Sequence, residues 1–266
     1  MRRSVTALAA IVALAGAVLL PASADAATRP PWRVTITSAD TTLTLGAKVH
    51  LHGHVSKAAA GLLVTLQERI AGKPWRDQRQ ARVHKDGTYT TYDVPTRNTS
   101  RLYRVLMPGT PHRSRGVSDP LTVVVYQWKQ LTSFPQANPS FLPAVTSVSM
   151  NGTAYPASLE ATTVPPAVPP AVPAGQSVEY NLNHKCLAFR GTFGLSDRSE
   201  SGSQASVQAD ADGVPWFTQT FAVGGSTPDA FDFVTPPLKV RFQMASLVAD
   251  LDGFGAVGTP EVYCTQ

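Results

Sequence analysis

Apolar and polar residues alternate in short runs along the first half of the chain, and no segment there keeps a convincing helical period. Residues 34–37 alternate, as do residues 47–55. Residues 61–70 follow, with Val64, Leu66 and Glu68 on one parity. Ala71-Gly72-Lys73-Pro74 reads as a turn and residues 75–84 as a polar strand. Lys85-Asp86-Gly87 turns the chain into residues 88–94, and residues 101–107 and 121–126 complete a set of seven strands. Turn signals about every ten residues are the pattern of a β-sandwich.

The second half begins near Trp128 with an uncharged, proline-rich stretch. Residues 145–155 form a strand pair around Asn151-Gly152, the dipeptide that suits a two-residue hairpin. A Val-Pro-Pro-Ala repeat at 164–174 should adopt polyproline II. It is expected as a loop inserted in one domain; the alternative is a linker, with the last domain starting near Gly175. Strands are predicted at 177–182, 187–195, 205–210, 216–223, 231–234, 238–245 and 260–264, with a hairpin turn at Asp212-Gly213. The expected fold is all-β, two sandwiches in series.

Residues 1–26 read as a signal peptide: Met1-Arg2-Arg3, an apolar stretch over 5–20, Pro21, then Ala24-Asp25-Ala26. The stretch is shorter than the ~20 residues a span needs, so no transmembrane segment is expected in the mature chain. Secretion, to an extracellular or cell-wall location, places Cys186 and Cys264 in an oxidising compartment. Two cysteines allow one intramolecular pairing, and a disulfide is expected.

The run Leu43-Thr44-Leu45-Gly46-Ala47-Lys48-Val49-His50-Leu51-His52-Gly53-His54-Val55 resembles the second strand of bacterial Ig-like repeats. Residues 63–67, Gly72-Lys73-Pro74-Trp75 and Lys85-Asp86-Gly87-Thr88-Tyr89 fit the same pattern in order. The resemblance implies a spacer or adhesive module over 27–126. Val178-Glu179-Tyr180-Asn181-Leu182, Phe189-Arg190-Gly191-Thr192-Phe193-Gly194-Leu195-Ser196-Asp197, residues 207–213 and Leu238-Lys239-Val240-Arg241-Phe242 resemble the NPCBM carbohydrate-binding modules. Asn151-Gly152-Thr153-Ala154-Tyr155 fits an early element of that family. A galactose-binding-like jelly roll over 127–266 is implied. Family members that bind sugar usually carry an acidic-His-acidic-Trp element before the last strand. Asp250-Leu251-Asp252-Gly253-Phe254 stands there with neither His nor Trp, which weakens the sugar-binding inference.

Sugar binding needs an aromatic platform beside hydrogen-bonding groups. Trp216 and Phe254 are the candidate platforms, and Asp252 and Glu261 the candidate hydroxyl partners. Trp216 could instead begin a strand and pack inside the sandwich, as could Trp75 and Trp128. His50, His52 and His54 share one strand face, but His50 and His54 lie about 13 Å apart, so no metal site is expected. Asp210-Ala211-Asp212-Gly213 and Asp250-Leu251-Asp252-Gly253 lack the ligand set of an EF-hand. No cofactor is expected, though a structural calcium built from distant residues stays open. No nucleophile elbow, zinc-protease helix, P-loop or dinucleotide fingerprint is present, so no enzyme is expected.

Charge refines this. The chain has 266 residues, 23 Lys and Arg against 18 Asp and Glu, and a net charge of +5. That alone suggests a nucleic-acid or acidic-polymer binder. Residues 27–126, however, hold 15 Lys and Arg against 6 Asp and Glu, a net of +9. Residues 127–266 hold 6 against 11, a net of −5. Only the first sandwich should attract anions. For an exported protein these are wall polymers of the teichoic type rather than nucleic acid. The expected function is a secreted, non-catalytic carbohydrate-binding protein whose partner is a polysaccharide or cell-wall glycan. The alternatives are an envelope adhesion protein that binds protein partners and a hydrolase with an unrecognised site.

Overall fold

A computed structural model describes residues 29–137, 144–162 and 175–266. The expected signal peptide and the proline repeat lie outside the described residues. The first half supplies β1 (Thr42–Thr44), β2 (Val49–His54), β3 (Leu63–Ile70), β4 (Arg76–Arg82), β5 (Thr88–Asp93), β6 (Arg101–Met107), β7 (Gly116–Val117) and β8 (Leu121–Gln130). β2 pairs with β5, while β4, β3, β6 and β8 pair in that order, with β1 parallel to β8. Period-2 alternation sets the faces. In β6 it buries Arg101, Tyr103, Val105 and Met107 and turns Leu102, Arg104 and Leu106 outward. Val49, Leu51, Tyr89, Tyr103, Val105 and Val123 share one core.

The second half supplies β9 (Ala144–Met150), β10 (Thr153–Glu160), β11 (Gln176–Asn181), β12 (Cys186–Leu195), β13 (Gln204–Ala211), β14 (Val214–Ala222), β15 (Ser226–Asp232), β16 (Lys239–Ser246) and β17 (Gly255–Cys264). One layer joins β15, β12, β17, β10 and β9; the other runs β11-β16-β13-β14. Phe189 and Phe193 from the first layer and Val207, Val240 and Phe242 from the second belong to one buried cluster. The fold is all-β, as the alternation predicts. Among the described residues no helix is long and apolar enough to cross a membrane.

The Asn151-Gly152 hairpin forms with both residues at positive φ, 49° and 72°, the geometry a tight two-residue turn requires. β10 then pairs with β17 through Leu159 and Glu160. Gln176 reaches back to Thr162, accepting from its N–H at 2.8 Å and donating to its carbonyl at 3.0 Å. The two residues that flank the proline repeat are thus held together.

β8 changes the picture of the join. Residues 121–123 pair with β6, Val124, Val125 and Tyr126 pair with β1, and residues 127–130 pair with β17. The sequence boundary between 126 and 127 therefore falls inside one continuous strand that belongs to both sandwiches. Cys186 and Cys264 face each other across β12 and β17 and form the disulfide, both sulfur-bearing residues buried.

Candidate functional site

Trp216, Asp252, Phe254 and Glu261 are not brought onto one surface. A bulge in the β13–β14 pairing falls at Trp216, and it turns both Trp216 and Phe217 toward the core. The Trp216 ring packs at 5.5 Å from Phe231, 5.6 Å from Phe189 and 6.0 Å from Phe242. It is half-buried, with its ring packed against the core aromatics. Phe254 is buried beneath the Arg198 guanidinium, which lies 3.8 Å from the ring centre. The Phe254 carbonyl accepts from the Ser196 N–H just past the end of β12, whereas Trp216 packs on Phe189 in the first half of that strand. Asp252 is exposed, and its N–H donates to Glu200 at 2.9 Å. Glu261 lies on the outer face and is held by Arg190 at 2.6 Å, with Arg190 also over the Trp128 ring.

The two acidic stretches are likewise engaged. Asp210 is buried against Arg241 at 2.8 Å, and Asp212 accepts the backbone N–H groups of Leu238 and Lys239. His50, His52 and His54 are all exposed on the outer face of β2, opposite Tyr92, Thr90 and Thr88. Among the described residues no group of three or more His, Cys, Asp or Glu is placed to hold a metal ion.

The first sandwich carries a different kind of constellation. Trp75, half-buried just before β4, packs against two guanidinium groups: Arg104 at 4.0 Å and Arg69 at 4.7 Å from the ring centre. Arg69 and Arg104 come from neighbouring strands, and the β3–β6 register puts both on the outer face, opposite Glu68 and Tyr103. Gln67 accepts from Arg104 Nε at 2.8 Å and fixes its plane against the indole. Partial burial, then repulsion from Arg115 and Arg69, lowers the pKa of the Arg104 guanidinium. Asp77 on the same face accepts from Gln67 Nε2 at 2.7 Å, but no carboxylate lies within 4 Å of either guanidinium among the described residues, so the cations are only partly offset. At the edge of the same sandwich Arg79 and Lys48 both lie over Tyr92, at 3.9 and 4.5 Å.

The ion pairs sharpen the contrast. Five are present among the described residues, and four of them neutralise cations of the second half: Arg190, Arg198, Lys239 and Arg241. In the first sandwich the pair is Arg101 with Glu68. Its other cations stand without a carboxylate within 4 Å among the described residues. The sequence places Trp75 only as a candidate for packing. The signal that finds the cluster is the parity of Arg69 and Arg104, each opposite a buried neighbour, and it needs the pairing of β3 with β6 to become visible.

Comparisons with known proteins add little to this geometry. No family model matches the chain, and no curated protein does. Among solved structures it is similar to the teleost fish polymeric Ig receptor ectodomain, at 11% identity over 88% of this chain and 96% of that one, with a TM-score of 0.30.

Proposed function

We propose that the chain is an exported, non-catalytic glycan-binding protein of the cell envelope, and that it holds anionic polymer on the outer face of its first sandwich. The observation that carries this is the packing of Arg69 and Arg104 on Trp75 with no carboxylate within 4 Å of either guanidinium among the described residues. An indole held by two guanidinium planes gives a sugar ring an apolar edge to rest against. The remaining guanidinium N–H groups point donors at acidic substituents. A rigid sheet keeps these groups in place before the ligand arrives, which reduces the ordering cost of binding.

Co-sedimentation with an anionic polysaccharide, run beside a neutral one, tests the proposal. Wild-type chain should be retained by the anionic polymer and released by added salt, and Arg69→Gln/Arg104→Gln should lose most of that retention. Retention that ignores both salt and the double substitution would overturn it.

A second reading has one observation in its favour. Ser206, Gln208 and Gln243 line a shallow groove of about 220 Å³ on the β11-β16-β13-β14 layer. Uncharged amides and a hydroxyl there suit a neutral, hydroxyl-rich ligand. Retention by the neutral polymer, lost in Gln208→Ala/Gln243→Ala, would favour it.

A further inference from the structure

One end of the first sandwich encloses a cavity of about 410 Å³ that is lined by none of Trp75, Arg69 or Arg104. Lys73 from the β3–β4 turn, Arg76 at the start of β4 and Arg97 from the β5–β6 loop stand around it, with Glu68 and Arg101 also in the wall. Arg101 is 3% exposed. Its Nη1 donates to Glu68 and its Nη2 to the Arg97 carbonyl, while its Nε is buried with no partner among the described atoms. Glu68 is fully engaged, because its other oxygen accepts from Gln78 Nε2 at 2.8 Å. Lys73, Arg76 and Arg97 are exposed, and none forms an ion pair among the described residues. The wall thus carries four cations against one carboxylate.

Two costs are visible in this arrangement. A buried guanidinium N–H lacks an acceptor, and three unpaired cations surround one concave space. A small oxyanion of more than one charge relieves the repulsion and offers acceptor oxygens to the exposed donors of Lys73, Arg76 and Arg97. A single carboxylate brings one negative charge to three free cations. A phosphate monoester brings about 1.5 to 2, with three oxygens whose geometry the arginine fork matches. We infer that this cavity binds the phosphate group of a phosphorylated sugar or polyol unit, with Lys73, Arg76 and Arg97 as its ligands above the Arg101–Glu68 pair. The cavity would give the proposed glycan-binding function its anionic group, and it rests on that function only for the polymer that carries the phosphate.

Isothermal titration of the full chain with inorganic phosphate, glycerol 1-phosphate and glucuronate tests the site. Both phosphates should bind saturably with one site per chain, and glucuronate at least tenfold more weakly. Arg76→Gln/Arg97→Gln should weaken phosphate binding tenfold or more, and Lys73→Gln, on an exposed turn, should weaken it in the same direction. Arg69→Gln/Arg104→Gln should leave phosphate binding unchanged. No saturable phosphate binding, equal binding of glucuronate, or affinity undiminished in the Arg76/Arg97 variant would each overturn the inference. If phosphate binding fails while polymer is still retained, the cavity falls and the Trp75 face stands. If retention fails while phosphate still binds, the reverse holds.

Discussion

Thr44 of the first sandwich and Tyr263 of the second share a hydrogen bond, hydroxyl to hydroxyl, at 2.6 Å. Tyr126 stacks on the same tyrosine at 5.3 Å, and Trp128 packs on it at 5.3 Å. On the other side of the join the Asn98 carbonyl accepts from Gln266 N–H at 2.8 Å, and Asn98 Nδ2 donates to the Cys264 carbonyl at 3.4 Å. With β8 running through both halves, the two sandwiches are tied by backbone ladder, ring stack and side-chain bonds together.

That tie should make the two sandwiches unfold together. Calorimetry of the wild-type chain should show one cooperative transition, whereas separate domains on a linker would show two. Tyr263→Ala removes the stack and the Thr44 bond together and should cost about 2 kcal/mol while splitting the transition. A wild-type chain that melts in two steps would show that the join is loose.

The disulfide lies within the second sandwich and should stabilise the cooperative unit as a whole. It closes a separation of 78 residues between the start of β12 and the end of β17. Loop entropy puts its contribution at roughly 4 kcal/mol. Reduction, or Cys186→Ser/Cys264→Ser, should lower the midpoint of urea unfolding accordingly. An unchanged midpoint would mean that pairing with β8, β10 and β12 already fixes β17.

Two tyrosines set the alkaline limit of the first sandwich. Burial raises the Tyr89 and Tyr103 hydroxyls well above their usual 10.0, with Tyr103 raised further by its hydrogen bond to Asp93. A raised folded-state pKa gives stability that is complete below the unfolded value and lost as pH climbs past it. Stability should therefore decline above about pH 10. Absorbance near 295 nm should show these two ionising only as the chain unfolds. Tyr103→Phe should cost about 1 kcal/mol at neutral pH and flatten the alkaline decline. Ionisation of all seven tyrosines near pH 10 with the fold intact would contradict the assignment.

Gly53 is held to its size by a close approach. A Cβ there would lie 2.0 Å from the Thr35 carbonyl oxygen and 2.5 Å from the Tyr89 hydroxyl, which itself donates to that carbonyl. Gly53→Ala should cost about 2–3 kcal/mol by forcing the segment around Thr35 away from β2. Thermal melts of this variant beside Gly61→Ala check the packing argument. Gly61 has open space but a φ of +84°, so its cost should be backbone strain alone, about 1 kcal/mol.

What could be read from the sequence was local. Alternation in 101–107, the Asn151-Gly152 turn and the lone cysteine pair each specify their structure within a few residues or by parity of number. What could not be read depends on non-local pairing. β8 continues past Tyr126 because β17 extends its ladder, and Glu261 and Val262 lie more than a hundred residues downstream. Trp216 turns inward because a bulge against β13 adds a residue to the strand, and a bulge leaves no mark in a polar-apolar string. Trp75 gathers Arg69 and Arg104 because β3 and β6 lie side by side, 37 residues apart at Gln67 and Arg104. The charge division between the halves was visible from the start; which cations lack partners was not.

In the proposed function, cations around Trp75 with no carboxylate within 4 Å among the described residues make the first sandwich a receptor for anionic polymer. The most direct test is affinity for one anionic polysaccharide, measured across a salt series for the wild-type chain and for Arg69→Gln/Arg104→Gln. Wild-type affinity should fall steeply with salt, and the variant should bind at least tenfold more weakly at low salt with a shallower dependence. Equal affinities and equal salt slopes in the two proteins would contradict the claim.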